Sequence, residues 1–393
     1  MRFHRRIVDA TRWTRQGWAV AVSSIALSLL SHGLTKQDRL AHDAQMVMSP
    51  ATSSIIVTQR ERFDTTIQSL ESLLSTIPAD ARLIYVDAGS PKSVARDLTR
   101  AAAEHNFLLL RADRFLAPNE ARNLAVPYVT TDFVAFVDND LLFEPGWLER
   151  LTACAQETGA WLVSPIIAQQ GKHGLVMHMV GGKCEIIEDQ GRRRFRENHN
   201  AMGRSIDDVP AMERHRTGFV EFHCVLVSRP ALEACIPFDE ELRSTRDHCD
   251  LTLEVGTHGG EIWLEPSVTV AQMLLWDRLP ASDRRFYALR WSDAWNRRSL
   301  ARFREKWDLD PDDPLEAHDL VWLRVHRLDG HRSYGGASGA LPRRPRRVAM
   351  RVADRGVQSV ISLRRSTLQR TASPPRLVHA PAWYQDTARQ LSG

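Results

Sequence analysis

Phe133-Val134-Ala135-Phe136-Val137-Asp138-Asn139-Asp140 is the stretch on which the fold turns. An unbroken apolar run ending in acids fits a strand buried on both faces, as in a parallel sheet covered by helices. The acids stand at the end of the run and not in its middle. Ligands of open α/β sheets gather at the carboxyl ends of strands, and two carboxylates one residue apart can reach a single hard cation. Asp-Asn-Asp is also an ordinary turn sequence, because these side chains hydrogen-bond their own backbone, so the triplet alone leaves both readings open.

Outward from this run, short apolar strands alternate with helical stretches. Upstream, Ser54-Ile55-Ile56-Val57-Thr58 reads as a buried strand, and Ile67, Leu70, Leu73 and Leu74 recur at helical spacing after it. Leu83 to Asp87 reads as the next strand, Ser90-Pro91 as a helix start, Phe107 to Leu110 as a strand and Asn119 to Val126 as a helix. Downstream, the Pro145-Gly146 turn leads into an amphipathic helix from Trp147 to Gln156, then a strand at Trp161-Leu162-Val163. Between Gln169 and Arg216 the pattern dissolves into glycine, charge and histidine, as in a long excursion beside a binding site. Phe219 to Ser228 reads as a strand, Asp247 to His258 as a helix closed by Gly259-Gly260, and Ser282 to Trp307 as one or two helices packed on the core. The predicted class is α/β, with a mostly parallel sheet flanked by helices and a helical C-terminal extension.

Composition sets bounds on function. A chain of 393 residues with 43% hydrophobic and 25% charged content can bury one large core or two smaller ones. The net charge of +4 conceals an asymmetry, since residues 331–393 hold twelve arginines against Asp354 and Asp386. The remainder is mildly acidic, which argues against a nucleic-acid enzyme and leaves the tail as the one strongly cationic stretch. The five cysteines are scattered and form no C-x-x-C pair, which fits a reducing compartment. Trp18 to Leu30 is apolar for thirteen residues, short of the roughly twenty that span a bilayer. Arginines precede it as in a signal peptide, but no small-residue cleavage site follows, so an amphipathic or packed helix is the expectation. The predicted divisions are an N-terminal helical and basic segment at 1–50, a main domain at 51–275, a helical extension at 276–328 and a basic tail at 329–393 with little packed structure. Val348 to Leu363 within that tail has the pattern of a short amphipathic helix suited to an anionic membrane face. A cytoplasmic location, with peripheral contact at the inner face of the membrane, follows as an expectation.

Several motifs stand in one order along 53–260. Ser54 to Thr58 is followed by Gln59-Arg60; Val86-Asp87-Ala88-Gly89-Ser90 comes next, then Asn119-Glu120-Ala121-Arg122-Asn123. Val137-Asp138-Asn139-Asp140 continues into Glu144-Pro145-Gly146-Trp147-Leu148, and Phe238-Asp239-Glu240 precedes Asp247-His248-Cys249-Asp250-Leu251. The ordered set resembles the family 2 glycosyltransferases of GT-A fold, over roughly half the chain. That resemblance implies inverting transfer of a sugar from a nucleotide-sugar donor to the hydroxyl of a glycan or lipid-linked acceptor, as in building cell-surface polysaccharide. It implies donor contacts at Thr58, Arg60, Asp87, Arg122, Asn123, Asp138 and Asn139. A divalent Mn²⁺ or Mg²⁺ would sit on Asp140 with Asp138, neutralising the departing diphosphate.

An inverting transfer needs a base for the acceptor proton, and Asp247 is the candidate, with Asp250 near the same helical face. The plain alternative for Asp247 is a carboxylate at a helix N-terminus stabilised by the dipole. His248 stands where many relatives carry a second acid, so the base can instead fall on His248 or Asp250. Many metal-dependent relatives place a histidine after the last core strand; here Val270-Ala271-Gln272-Met273 leaves Gln272 or water as the expected third ligand.

His173, His178 and His199 match no zinc spacing and read as solvated or acceptor-side residues. Trp276, Trp291 and Trp295 suit either sugar stacking or core anchoring, the second being preferred. No Gly-x-x-x-x-Gly-Lys or Gly-x-Gly-x-x-Gly loop occurs, which removes the best evidence for a P-loop or dinucleotide enzyme. Two rival functions remain: a nucleotidyltransferase, which calls for an early basic loop richer than Arg60 and Arg62, and a catalytically degenerate domain that binds glycans or a partner without turnover.

Overall fold

The computed structural model describes residues 53–171, 174–273, 279–332, 343–364 and 374–384. The readings made for 1–50, His173 and Trp276 lie outside these residues. In chain order the first half gives β1 (Ser53–Thr58), α1 (Thr66–Leu74), β2 (Arg82–Ala88), α2 (Lys92–His105), β3 (Leu108–Ala112), α3 (Pro118–Ala125), β4 (Phe133–Asp138), β5 (Leu141–Leu142), α4 (Trp147–Thr158) and β6 (Leu162–Gly171). An excursion follows with β7 (Gly174–Met179), β8 (Gly182–Asp189), β9 (Arg192–His199) and β10 (His215–Arg216). The chain returns through β11 (Cys224–Ser228), α5 (Arg229–Cys235), α6 (Asp247–Thr257) and β12 (Ile262–Gln272). Then come α7 (Arg284–Arg290), α8 (Asp293–Lys306), α9 (Pro314–Arg332), α10 (Arg343–Arg364) and β13 (Arg376–His379).

One large sheet runs in the order β10-β12-β6-β11-β4-β1-β2-β3-β13. Its β4-β1-β2-β3 half is parallel, as expected. Across β11 the sheet becomes mixed, because β11 enters from the far end of the excursion and pairs antiparallel with both β4 and β6, while β12 is parallel to β6.

Alternation along the central strands feeds two cores. Ile55, Val57, Tyr85, Ala135 and Val137 face α1, α2 and α4, meeting Leu70, Leu98, Trp147 and Leu151. Ile56, Ile84, Val86, Val134 and Phe136 face α3, α5 and α6, meeting Ala121, Ala125, Leu232, Leu251 and Val255. Strands covered on both faces need apolar residues at every position, which is why they read as continuous runs. Trp147 is fully buried, a large apolar side chain worth on the order of 2–3 kcal/mol by transfer from water. The helix that Trp147 begins, α4, is entered through Gly146 at φ +77, a conformation open to glycine at little cost.

The excursion holds more regular structure than its composition suggests. β8 and β9 form a two-stranded sheet, closed at Gln190-Gly191 with positive φ at both residues, the geometry of a tight hairpin. Cys184 and Phe195 turn into the core while Arg, Glu and Lys cover the rest. The alternation was hidden because charged residues interrupt the buried face as well as lining the open one. In the basic tail, α10 contains the helix read at Val348 to Leu363, while β13 is an element that the sequence reading did not include. Strand β13 pairs antiparallel with β3, and Arg327 of α9 meets Asp354 of α10 in a buried pair with hydrogen bonds of 3.0 and 3.1 Å.

Candidate active site

The carboxyl ends of β1, β2 and β4 open on one crevice. Register sets Thr58 beside Asp138, and β11 continues backwards so that the carbonyl of His223 accepts from the Asp138 amide at 3.0 Å. On the far side β12 pairs with β5, and the Asp140 carbonyl accepts from the Met273 amide at 2.8 Å. Backbone pairing alone therefore gathers the ends of four strands around the Asp138-Asn139-Asp140 turn.

The turn reading accounts for Asn139 and leaves the two acids free for the other. Asn139 does the work of the turn: its Oδ1 accepts from the Arg60 amide at 3.0 Å, and its Nδ2 donates to the Arg62 carbonyl at 2.7 Å and to Thr66 Oγ1 at 2.9 Å. Both of its amide hydrogens and its amide oxygen are engaged inside the protein. The two acids face the crevice. Asp140 is 1% exposed; one oxygen accepts from Gln272 Nε2 at 3.0 Å, while Oδ1 is buried with no hydrogen-bond partner. Burial, then the charge of Asp138, pushes the Asp140 carboxyl up to about 7. A buried carboxylate oxygen without a donor is costly, and a cation is the partner that would remove the cost.

His223, fully buried beside Asp138, was not found in the sequence. Its Nδ1 lies 3.1 Å from Asp138 Oδ2. Burial, reinforced by the Arg60 guanidinium, lowers the imidazole to about 4, so it is neutral at neutral pH, the form that binds metal. Asp138, Asp140 and His223 each offer one donor atom, and all lie within 4.8 Å of one another. These residues fit a divalent ion, with His223 offering the third donor for which Gln272 or water was the expectation. Gln272 instead steadies Asp140. The available signal was positional: His223 directly precedes a buried strand, as the acids directly follow one.

Arg60 bridges the cluster, with Nη1 2.9 Å from His223 Nδ1 and 3.5 Å from Asp138 Oδ2. Arg290, on α7, sends Nε to the Arg60 carbonyl at 3.2 Å and Nη1 to Ser244 Oγ at 2.7 Å. Burial lowers the Arg290 guanidinium to about 10 against the opposing pull of Asp247. No local motif marked Arg290, because it reaches the site from the helical extension.

The remaining expected residues divide by what they touch. Thr58 is buried at the end of β1. Asp87 is buried at the end of β2, accepts from the Ser90 amide at 3.0 Å and pairs with Arg111. Arg122 pairs with Asp247 at 2.6 Å, bonds Asn119 Oδ1 at 2.8 Å and lies over the Phe222 ring. Asn123 points away from the crevice and clamps Phe238 through both the amide and carbonyl of that residue. At the start of α6, burial would raise the Asp247 carboxyl, but Arg122 and His248 hold it far below the usual range. His248 Nδ1 is 3.5 Å from Asp247, and its buried Nε2 has no hydrogen-bond partner. Asp250 turns from the crevice to Lys306 Nζ at 2.8 Å and Trp307 Nε1 at 2.9 Å. Trp291 and Trp295 are buried, as core anchors are.

Residues 53–231 match the family model described as glycosyl transferase family 2. This stretch is a family 2 glycosyltransferase domain. Among curated relatives, the domain is similar to the pre-mycofactocin glycosyltransferase of Mycobacterium tuberculosis strain H37Rv, 27% identical over 190 residues, which are 48% of this chain and 37% of that protein. It is also similar to polypeptide N-acetylgalactosaminyltransferase 15 of Homo sapiens, 30% identical over 124 residues, which are 30% of this chain and 19% of that protein. The matched part is thus well under half the length of either relative. Among solved structures, a mannosyltransferase from Pyrobaculum calidifontis in complex with GDP-Man and Mn²⁺ superposes with a TM-score of 0.42 at 12% identity, covering 81% of this chain and 88% of that one. Among the described residues, no helix is long and apolar enough to cross a membrane.

Proposed function

We propose that this glycosyltransferase domain moves a sugar from a nucleoside-diphosphate sugar to an acceptor hydroxyl, using a divalent ion held by Asp138, Asp140 and His223. The observation that carries the proposal is the buried, unpartnered Oδ1 of Asp140, set between Asp138 and His223 where three parallel strands end. When bound, Mn²⁺ or Mg²⁺ would act as a Lewis acid on the diphosphate as it leaves with the bonding electrons. The Mn²⁺-bound mannosyltransferase complex is a comparison, and the choice of metal here rests on the oxygen-rich donor set with one imidazole.

The chain's own residues supply the rest. Arg60, the most exposed member of the cluster at 21% of its side chain, swings to the diphosphate while Arg290 holds the Arg60 backbone. Asp87, braced by Arg111 and the Ser90 amide, meets the nucleoside. Asp247 takes the acceptor proton, and Arg122 and His248 orient its carboxylate. Asp250 is a positioning residue that fixes α6 to α8 through Lys306 and Trp307. His248 is the alternative base at the same helix start, its buried Nε2 lying 3.8 Å from Glu197 Oε1; burial would lower the imidazole, but Cys249, Asp247 and Glu197 hold it well above its ordinary range, which favours Asp247. Asp247→Asn lowering kcat by about a hundredfold or more, with nucleotide binding retained, assigns the base to Asp247; the same pattern in His248→Ala alone assigns it to His248.

The proposed acceptor is a glycan or a lipid-linked glycan. Peripheral contact with an anionic leaflet through α10 is supported by Val352 and Val360, exposed on a helix that also presents Arg351 and Arg355. Sedimentation with anionic against neutral vesicles tests that contact, and equal partitioning removes it.

The deciding experiment is calorimetry of UDP, GDP and their sugars with and without Mn²⁺. Metal-dependent binding that disappears in Asp140→Ala, together with slow donor hydrolysis, is the expected result. Binding without hydrolysis or transfer to any acceptor supports a non-catalytic module, and absence of binding by every donor overturns the reading of the crevice.

A further inference from the structure

Behind the Asp138 cluster lies a second group of histidines, brought together from three separate segments. His178 stands near the end of β7, His199 ends β9, and Glu221 precedes β11. His178 Nε2 lies 2.7 Å from Glu221 Oε2, and His199 Nε2 lies 3.8 Å from Glu221 Oε1. One donor atom from each of the three residues falls within 4.8 Å of the others. The His178 and His199 rings are edge to face at 5.5 Å.

We propose that His178, His199 and Glu221 form a second metal site, of zinc type, with a fourth position open to solvent. Glu221 is only 7% exposed, yet its Oε2 has no hydrogen-bond partner, and the same holds for His178 Nε2 opposite it. The two atoms touch without the alignment of a hydrogen bond. An ion between them would satisfy both, and buried polar atoms that meet without hydrogen-bond geometry in a folded protein call for such an explanation. Tetrahedral ligands at bonds of about 2.0–2.1 Å sit roughly 3.3 Å apart, so the contact between His178 and Glu221 opens by about half an ångström.

Surrounding contacts match what a metal-bound imidazole needs. Glu197 Oε1 lies 2.9 Å from His199 Nε2, a carboxylate that fixes the ring through this nitrogen and leaves the buried Nδ1, which has no hydrogen-bond partner, as the donor for an ion. His178 and His199 keep 16% and 12% of their side chains exposed, which gives an ion and a water ligand a way in. Two imidazoles and one carboxylate form a softer set than that of the crevice, so this centre prefers Zn²⁺ or Co²⁺ over Mg²⁺. His223 separates the two centres, with Nε2 3.5 Å from Glu221 and Nδ1 toward Asp138.

The test uses the full chain stripped with a chelator and titrated with Co²⁺ in the presence of excess Mg²⁺. The intense visible absorption of four-coordinate Co²⁺ should saturate at one equivalent, survive in Asp140→Ala, vanish in His178→Ala and in His199→Ala, and be displaced by Zn²⁺. Removal of a ligand should weaken Zn²⁺ binding at least about a hundredfold, the upper end of what losing an outer-shell partner costs. Loss of the absorption in Asp140→Ala, or its retention in both histidine variants, overturns the proposal, as does its absence from the wild type. Because a histidine variant can misfold, X-ray absorption of the Zn²⁺-loaded wild type supplies an independent readout. Two imidazole shells support the site, and an oxygen-only or single-imidazole shell overturns it.

Discussion

Buried charge makes Arg122 and Asp247 the most consequential pair outside the metal cluster. Their side chains are 4% and 5% exposed and meet at 2.6 Å, with Arg122 also lying over Phe222. Removing one partner strands the other charge, which costs about 3–5 kcal/mol. Arg122→Met should therefore lose roughly that much stability in urea titrations, and Arg122→Met with Asp247→Asn should recover a large part of it. If the single and double variants are equally unstable, the pair is not what holds Asp247 ionised. The residues that sequence supplied directly were those following strands: Asp87, Asp138 and Asp140 stand where an apolar run stops. His223 and Arg290 escaped because their positions depend on which strands and helices become neighbours. Asn123 and Asn139 illustrate the opposite case, since motif position brought them near the crevice while their amides are occupied by the backbone of Phe238, Arg60 and Arg62.

Helix α9 is tied to the loop after β1 by an acid in the adjoining turn. Glu61 accepts from Trp291 Nε1 at 2.7 Å and lies 3.4 Å from His326 Nε2 of α9. Burial alone would raise its carboxyl, but His326, Arg60 and Trp291 hold it down at about 2 from an ordinary 4.5. A carboxyl depressed in the folded state stabilises the fold above its ordinary value and loses that contribution as pH falls through the folded one. The stability difference between wild type and Glu61→Gln should accordingly be largest above about pH 4.5 and shrink toward pH 2. A difference independent of pH over that window rejects the link. A second joint is Gly89 at φ +75, where an added Cβ would stand 2.9 Å from the Arg114 backbone. Gly89→Ala should cost more than about 1 kcal/mol in thermal or urea unfolding, since left-handed strain and a backbone clash act together. At this scale the central strands were readable because burial on both faces leaves an unbroken apolar run. The β8–β9 hairpin was not, because Arg193 and Glu197, on the same face of the strand as Phe195, carry charge where apolar residues would have shown the alternation.

Across the whole molecule, the order of strands decides where the sheet is vulnerable. The parallel half ends at β3, whose Leu108-Leu109-Leu110 would be an apolar edge if left open. Unpaired apolar edges template association with other chains, and natural sheets cover or charge them. Here the cover comes from the C-terminal end, over two hundred positions away in sequence. β13 pairs with β3, His379 Nδ1 lies 2.9 Å from the Phe107 carbonyl, and the Tyr384 ring packs 5.8 Å from that of Tyr128. Composition alone made the tail look unstructured, since its arginines outweigh a cover strand only four residues long, and its partner strand lies far upstream. Removing residues 374–393 should leave nucleotide binding measurable in dilute protein, because the crevice lies at the ends of β1, β2 and β4. The shortened chain should nevertheless associate with rising concentration in light scattering and size exclusion, while the full chain at the same concentration does not. Equal behaviour of the two would mean that β3 is protected by its neighbours α2 and Arg111, and that β13 only rests on the sheet.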